Sequence, residues 1–283
     1  MKNPEDFTIG ADPEFCVVKN DTLKNGESFK ECNCFGHDGG GIALEIRPDF
    51  SKDPLRVVSN IHRNLLQVVM KDPKFLSEYE WHAGSYVKGS PIGGHIHVGG
   101  IPTTTLKVVT ACNWLDQFVG STTVLLEKHE DGVFRRNAGY GGKSDYRTNE
   151  HGFEYRTPSS WVTSPYIAAA VLCLAKATIH EAIKQKGSGC PDLVTAEQIR
   201  RMNTGPIRGN FPKIWEGITK MELYKEYQPQ IDLIATLINN KRTWFPKTSM
   251  KESWGMVNFD EMQKPENENH KLESIWSEVV GKK

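Results

Sequence analysis

The chain opens on an apolar run, residues 7–19 (FTIGADPEFCVVK), that predicts a strand entering the turn-rich NDTLKNGES. A glycine run, HDGGG, precedes a second apolar strand in IALEIRP. Asp53 and Pro54 form an N-cap and first-turn pair, after which Leu55, Val58, Ile61, Leu65 and Val68 recur at helical spacing. EYEWHAGSYV and GGHIHVGG predict two more strands, and residues 103–128 predict a helix broken near Gly120. A glycine-rich loop, NAGYGGKSD, leads into a further strand in HGFEYRTPSSW. Ser164 and Pro165 open a long helix that stops near Gly187, and the remaining third is mostly helical. Strands and helices do not alternate in a βαβ rhythm, so the pattern predicts an α+β protein with an antiparallel or mixed sheet. Glycine signatures of dinucleotide and P-loop sites are both missing.

Composition narrows the class without naming a function. The 283 residues suffice for one large domain or two small ones, and 38% hydrophobic with 25% charged residues is ordinary for a globular protein. Lys+Arg and Asp+Glu balance at 35 each, so no basic field argues for nucleic acid. The N-terminal stretch lacks an apolar run suited to a signal peptide, and the most apolar segment, YIAAAVLCLAKATI, reads as a buried helix rather than a membrane span. Six scattered cysteines form no disulfide framework, which makes a reducing, cytoplasmic setting the default. Cys32 and Cys34 make a lone C-x-C with no second pair to complete a zinc site, so ordinary reduced thiols are expected there.

The chemistry lies in pairs spaced two residues apart. On a strand such residues point the same way. Four predicted strands carry one: Asp12 and Glu14, Glu45 and Arg47, His95 and His97, and Glu154 and Arg156. A plain solvated sheet face also holds polar pairs, but it favours Lys, Thr and Ser, of which these strands have almost none. A fifth pair, Glu80 and His82, is better read as solvated. Several carboxylates with histidine suit a hard divalent ion such as Mg²⁺ or Mn²⁺, whereas zinc prefers more nitrogen or sulfur. Between the third and fourth pairs, Arg135, Arg136, Lys143 and Arg147 lie near glycines, where guanidinium groups could meet a polyphosphate. By composition alone that stretch is equally a solvated loop.

Taken in order, these motifs make the sequence resemble the glutamine synthetase superfamily of carboxylate–amine ligases, which includes the glutamate–cysteine ligases, and within it a phage-encoded branch. The resemblance covers residues 7–165. It implies a glutamine-synthetase-like catalytic domain, a curved, mainly antiparallel sheet forming a funnel-shaped site with helices on its outer face. Residues 1–283 would form one such domain, 166–283 being its mostly helical C-terminal part. By the same resemblance, DPEF would make Asp12 and Glu14 ligands of two different metals. GGHIHVGG would make His95 a metal ligand and His97 a contact to the carboxylate substrate. RRNAGY would place Arg135 on substrate or phosphate, and FEYRTP would give Glu154 to metal and Arg156 to the transferring phosphate. Glu45 would be a further metal carboxylate, and Arg147 a second phosphate arginine; Lys143 joins Arg135, Arg147 and Arg156 as nucleotide-binding cations.

The implied reaction is ATP-dependent amide formation through an acyl phosphate, with two or three Mg²⁺ or Mn²⁺ ions, releasing ADP and phosphate. Its substrates would be a small-molecule or peptide carboxylate and a primary amine. Two departures from glutamine synthetases bear on this. The first catalytic strand begins near Met1, so the ring-shaped oligomer is not expected to carry over. Gly141 follows the Gly139–Tyr140 stretch where glutamine synthetases place a glutamate for ammonium, so a larger amine is expected. No general base stands out among Glu130, Asp131 and Asp145. A guanidino kinase, a metal-dependent hydrolase and a non-catalytic nucleotide-binding domain are the rival readings.

Overall fold

The computed structural model describes residues 6–37, 39–245 and 249–256. The first predicted strand becomes β1, Thr8–Lys19, and the chain continues through β2 (Thr22–Leu23), β3 (Phe35–His37) and β4 (Leu44–Ile46). Helices α1 (Pro54–Lys71) and α2 (Pro73–Ser77) follow. Next come β5 (Glu80–His82), β6 (Tyr86–Val87), β7 (Ser90–Pro91) and β8 (Gly94–Gly99). Then come α3 (Thr105–Leu115), α4 (Ser121–Leu126) and α5 (His129–Asn137), before β9 (Tyr146–Asn149) and β10 (Gly152–Tyr155). The rest of the described chain is helical: α6 (Pro165–Lys184), α7 (Ala196–Arg200), α8 (Thr204–Thr219), α9 (Gln228–Asn239) and α10 (Met250–Ser253).

The long first strand organises the sheet. Its N-terminal half pairs with β8 and its later residues with β4, β5 and β2, all antiparallel. The main path runs β3-β4-β1-β8-β10-β9 and leaves an open sheet. Alternation assigns the two faces. Ile9, Ala11, Phe15 and Val17 of β1, with Ile96, Val98, Phe153 and Tyr155, are buried in the core. Phe15 touches Phe35, Phe75 and Trp81 at ring separations of 6.1, 6.2 and 5.6 Å, closing that face with an aromatic cluster.

Both predicted helix starts form. Asp53 accepts a hydrogen bond from the Leu55 amide at 2.9 Å, and Ser164 accepts one from the Ile167 amide at 3.3 Å. Asp53→Ala should therefore lower stability by about 1 kcal/mol, read as a shift in the urea unfolding midpoint without change of slope. Helix α6 is long and apolar enough to cross a membrane, but 89% of its most apolar window is buried inside the protein. It packs against α1, α3 and α9 and is the central core helix. The expected break in residues 103–128 is a π-helical turn, Asp116–Gly120, between α3 and α4.

Candidate active site

Register turns the polar pairs into one cluster. Asp12 of β1 lies opposite His95 of β8, and Glu14 lies opposite Glu45 of β4. One step further along, Gly10 pairs with His97, His97 with Glu154 of β10, and Glu154 with Arg147 of β9. Directly paired residues share a sheet face, so three strands bring their charged side chains together. His95 Nδ1 lies 3.2 Å from Asp12 Oδ1 and 3.1 Å from Glu154 Oε1, while its Nε2 is 3.9 Å from Glu14 Oε1. His97 Nε2 stands 3.1 Å from Asp12 Oδ2. The fifth pair stays apart, as its solvated reading required: His82 and Glu80 meet each other at 3.1 Å on the exposed edge strand β5.

Glu14, His95 and Glu154 are buried, and Asp12 nearly so. Burial alone would raise the Asp12 carboxyl pKa, but the adjacent His95 and His97 outweigh it and hold the group well below the usual carboxylate range. Burial lowers both imidazoles, and Asp12 more than reverses this, so His95 and His97 bind protons more tightly than free histidine.

Asp12 Oδ1, His95 Nδ1 and His97 Nε2 are buried without a hydrogen bond of acceptable geometry, although short distances separate them. Donor atoms of Asp12, His97 and Glu154 all lie within 4.8 Å of one another, compact enough to share one ion. Oxygen donors with one imidazole fit Mn²⁺ or Mg²⁺. His97, expected on the substrate carboxylate, lies within this donor group, and His95 lies deeper against all three carboxylates. Saturating Mn²⁺ at about a hundred times its Kd should stabilise the protein by about 2.7 kcal/mol, seen as a rise in Tm. His97→Ala should reduce that rise sharply.

Of the cations expected to meet phosphate, Arg156 lies against the carboxylate cluster. It follows β10, its Nη1 donates to Glu154 Oε1 at 2.9 Å, and its Nε lies 4.0 Å from Asp145 Oδ1. Arg147 sits exposed on β9 directly across from Glu154, on a strand that the glycine-rich sequence concealed. Lys143 lies half-buried in the loop before it.

Arg135 departs from expectation. It lies on α5 rather than on a loop, is 1% exposed, and donates hydrogen bonds to the carbonyls of Arg156, Thr157 and Pro158 at 3.1, 2.9 and 3.1 Å. It braces the segment that carries Arg156 and does not present its guanidinium to a phosphate. Arg136 is also buried, in a two-pronged pair with Glu127 at 2.7 and 3.0 Å. The reason is steric and electrostatic: chain leaving β10 in extended form exposes carbonyls that a fork of N–H donors satisfies. The same brace explains Gly141. Its φ is +71°, and a Cβ there would run into the Arg135 guanidinium, so the glutamate of glutamine synthetases has no room.

Glu45 is paired with Arg47 (Nε to Oε1, 2.7 Å) at the edge of the cluster. The glycines before His95 allow close packing: a Cβ on Gly94 would meet Trp161, whose indole donates to the Gly94 carbonyl at 2.8 Å.

Two contributors escaped sequence reading. Asp116, fully buried in the π-helical turn, accepts from Tyr155 Oη at 2.8 Å and from the Ser144 amide and hydroxyl at 3.0 and 2.5 Å. It ties the loop carrying Lys143 and Asp145 to β10, and burial pushes its carboxyl pKa up. A lone aspartate inside the apolar WLDQFVG was the available signal. Phe50 is 71% exposed with its Cβ against Gly10, beside the Cβ of His97. An aromatic residue in a loop between strand and helix gave no periodic cue.

Among solved structures, one described as apo GmaS without ligand matches 94% of this chain and 72% of its own, with a TM-score of 0.51 and 11% identity. That likeness is one of fold, and it agrees with the α+β, glutamine-synthetase-like architecture expected from the motifs. No curated protein sequence matches. Residues 9–256 match the family described as phage phiEco32-like COOH.NH2 ligase-type 2, so this cluster of carboxylates, histidines and arginine belongs to a member of that family, a carboxylate–amine ligase.

Proposed function

We propose that the protein uses ATP to join a carboxylate to a primary amine, passing through an acyl phosphate and releasing ADP and phosphate. The observation that carries this reading is the convergence of Asp12 and His97 with the buried Glu14, His95 and Glu154, with Arg156 against Glu154, in a ligase-family chain. A carboxylate is a poor electrophile, and bringing it to ATP sets anion against anion.

In this reading Asp12, His97 and Glu154 would hold one divalent ion, and Glu14 with Glu45, beside His95, would hold a second; Mg²⁺ or Mn²⁺ there would supply positive charge against the anionic partners. Arg156 donates to the phosphoryl group in transit, its planar fork fixed on one side by Glu154. Arg147 and Lys143 supply positive charge along the polyphosphate, and Phe50 offers an exposed ring for the base to stack on. Arg135 keeps the carbonyls after β10 in register so that Arg156 is aimed. Asp145 meets the incoming amine: one oxygen takes the Gly141 amide at 3.2 Å, and the other lies beside Arg156. Glu130 and Asp131 instead occupy the first turn of α5. One domain working in a cytoplasm completes the reading, with all six thiols free.

The test is a screen of acid and amine pairs with ATP and Mg²⁺, read by ADP release and then by product mass. A product weighing the two substrates less water supports ligation. A product carrying only an added phosphoryl group would identify a kinase, and substrate cleavage without ATP a hydrolase; either outcome overturns the proposal.

A further inference from the structure

Outside the carboxylate cluster, the side chains with the clearest unassigned chemistry are Cys32 and Cys34. Their sulfurs lie 2.9 Å apart in a tight turn leading into β3. The turn is pinned by reciprocal backbone bonds between Cys32 and Phe35, 2.8 Å from the Cys32 amide and 3.1 Å from that of Phe35. The Cys34 carbonyl is fixed as well, accepting from the Arg47 amide at 3.0 Å and from Asn64 Nδ2 at 3.2 Å. Both thiols are half-buried and reachable, whereas Cys16, Cys112 and Cys173 are buried, and the Cys190 thiol donates to the Pro191 carbonyl at 3.7 Å.

We propose that Cys32 and Cys34 form a thiol–disulfide exchange site for small disulfides, Cys32 attacking and Cys34 resolving. The Cys32 thiolate attacks one sulfur of the disulfide RSSR, forming Cys32–S–S–R and releasing RS⁻. Cys34 then loses its proton to solvent and attacks the Cys32 sulfur, closing the Cys32–Cys34 bond and releasing the second RS⁻. Both released thiolates take up protons, so two protein thiols are oxidised and one disulfide is reduced to two RSH. The backbone already holds the sulfurs where the second step needs them.

The two thiols are unequal in the direction this order requires. Burial would raise Cys32, but the Cys34 thiol hydrogen bond and the positive charge of Lys71 bring it below the usual thiol value. Burial pushes Cys34 up to about 11, and the Cys32 hydrogen bond adds to the rise. Cys190 is likewise raised to about 11 by burial.

The experiment uses the reduced full chain, alkylated with limiting iodoacetamide and, separately, oxidised with oxidised glutathione, with peptide mass mapping of both. Cys32 should alkylate at least about ten-fold faster than Cys190. Oxidation should end in a protein lighter by two hydrogens with Cys32 and Cys34 crosslinked. Cys34→Ser should stop at a glutathione adduct on Cys32, and Cys32→Ser should leave Cys34 as slow as Cys190. Far-UV circular dichroism of both variants, expected to match the parent chain, checks that they fold. Faster alkylation of Cys190 than of Cys32, or a wild-type chain that keeps its glutathione adduct, overturns the proposal.

Discussion

Glu154→Gln is expected to lower ligase turnover by about a thousand-fold, equivalent to about 4 kcal/mol of transition-state stabilisation. The substitution keeps shape and volume but removes the charge at the point where three demands meet. Glu154 lies 3.1 Å from His95, accepts from Arg156 at 2.9 Å, and shares a compact donor group with Asp12 and His97. Losing it should weaken Mn²⁺ binding, measured by calorimetry, and free the Arg156 guanidinium from its anchor. Both effects act on the transferring phosphoryl group, so kcat should fall more than KM rises. Glu80→Gln, on the exposed edge, should leave turnover unchanged and serves as the control. Full activity in Glu154→Gln would remove the metal-centred reading of this cluster.

The second large effect falls on stability. Arg135→Leu should destabilise the fold by about 4 kcal/mol, because three carbonyls lose their donors in a site sealed from water. Arg135→Lys should recover only part of this, since an ammonium cannot span the carbonyls of residues 156, 157 and 158 in a planar fork. Urea unfolding gives the measurement. If Arg135 served substrate alone, stability would hold and only KM would rise. Arg156→Lys provides the contrast: Arg156 faces the cluster, so turnover should fall while the unfolding midpoint moves little.

Local features were legible wherever a few adjacent residues determine them. Asp53–Pro54 and Ser164–Pro165 carry both the cap and the fixed φ of a first helical turn, and each opens a helix. Strands β1, β8 and β10 were readable because one alternate set of their residues is apolar. What misled was the glycine-rich stretch around NAGYGGKSD, whose arginines look solvated in one dimension. In the fold, Arg135 and Arg136 turn inward from α5, and the short polar strand β9 forms only because β10 offers it a partner. Arg147 thereby gains a place opposite Glu154 that its own neighbours could not indicate.

The same division holds for the histidines. Alternation alone places His95 and His97 on one face, together with Asp12 and Glu14 on theirs and Glu154 on its own. It cannot say which strand lies beside which. Register does: Asp12 lies opposite His95 and Glu154 opposite His97, which brings the side chains of three strands into one cluster. Sequence by itself determined which side chains could face a common cleft, because that follows from a two-residue period within each strand. Tertiary structure decided which of them meet and which arginine aims at the site and which braces it, because those are contacts between segments far apart in the chain, set by strand pairing and by the carbonyls each pairing leaves to be satisfied.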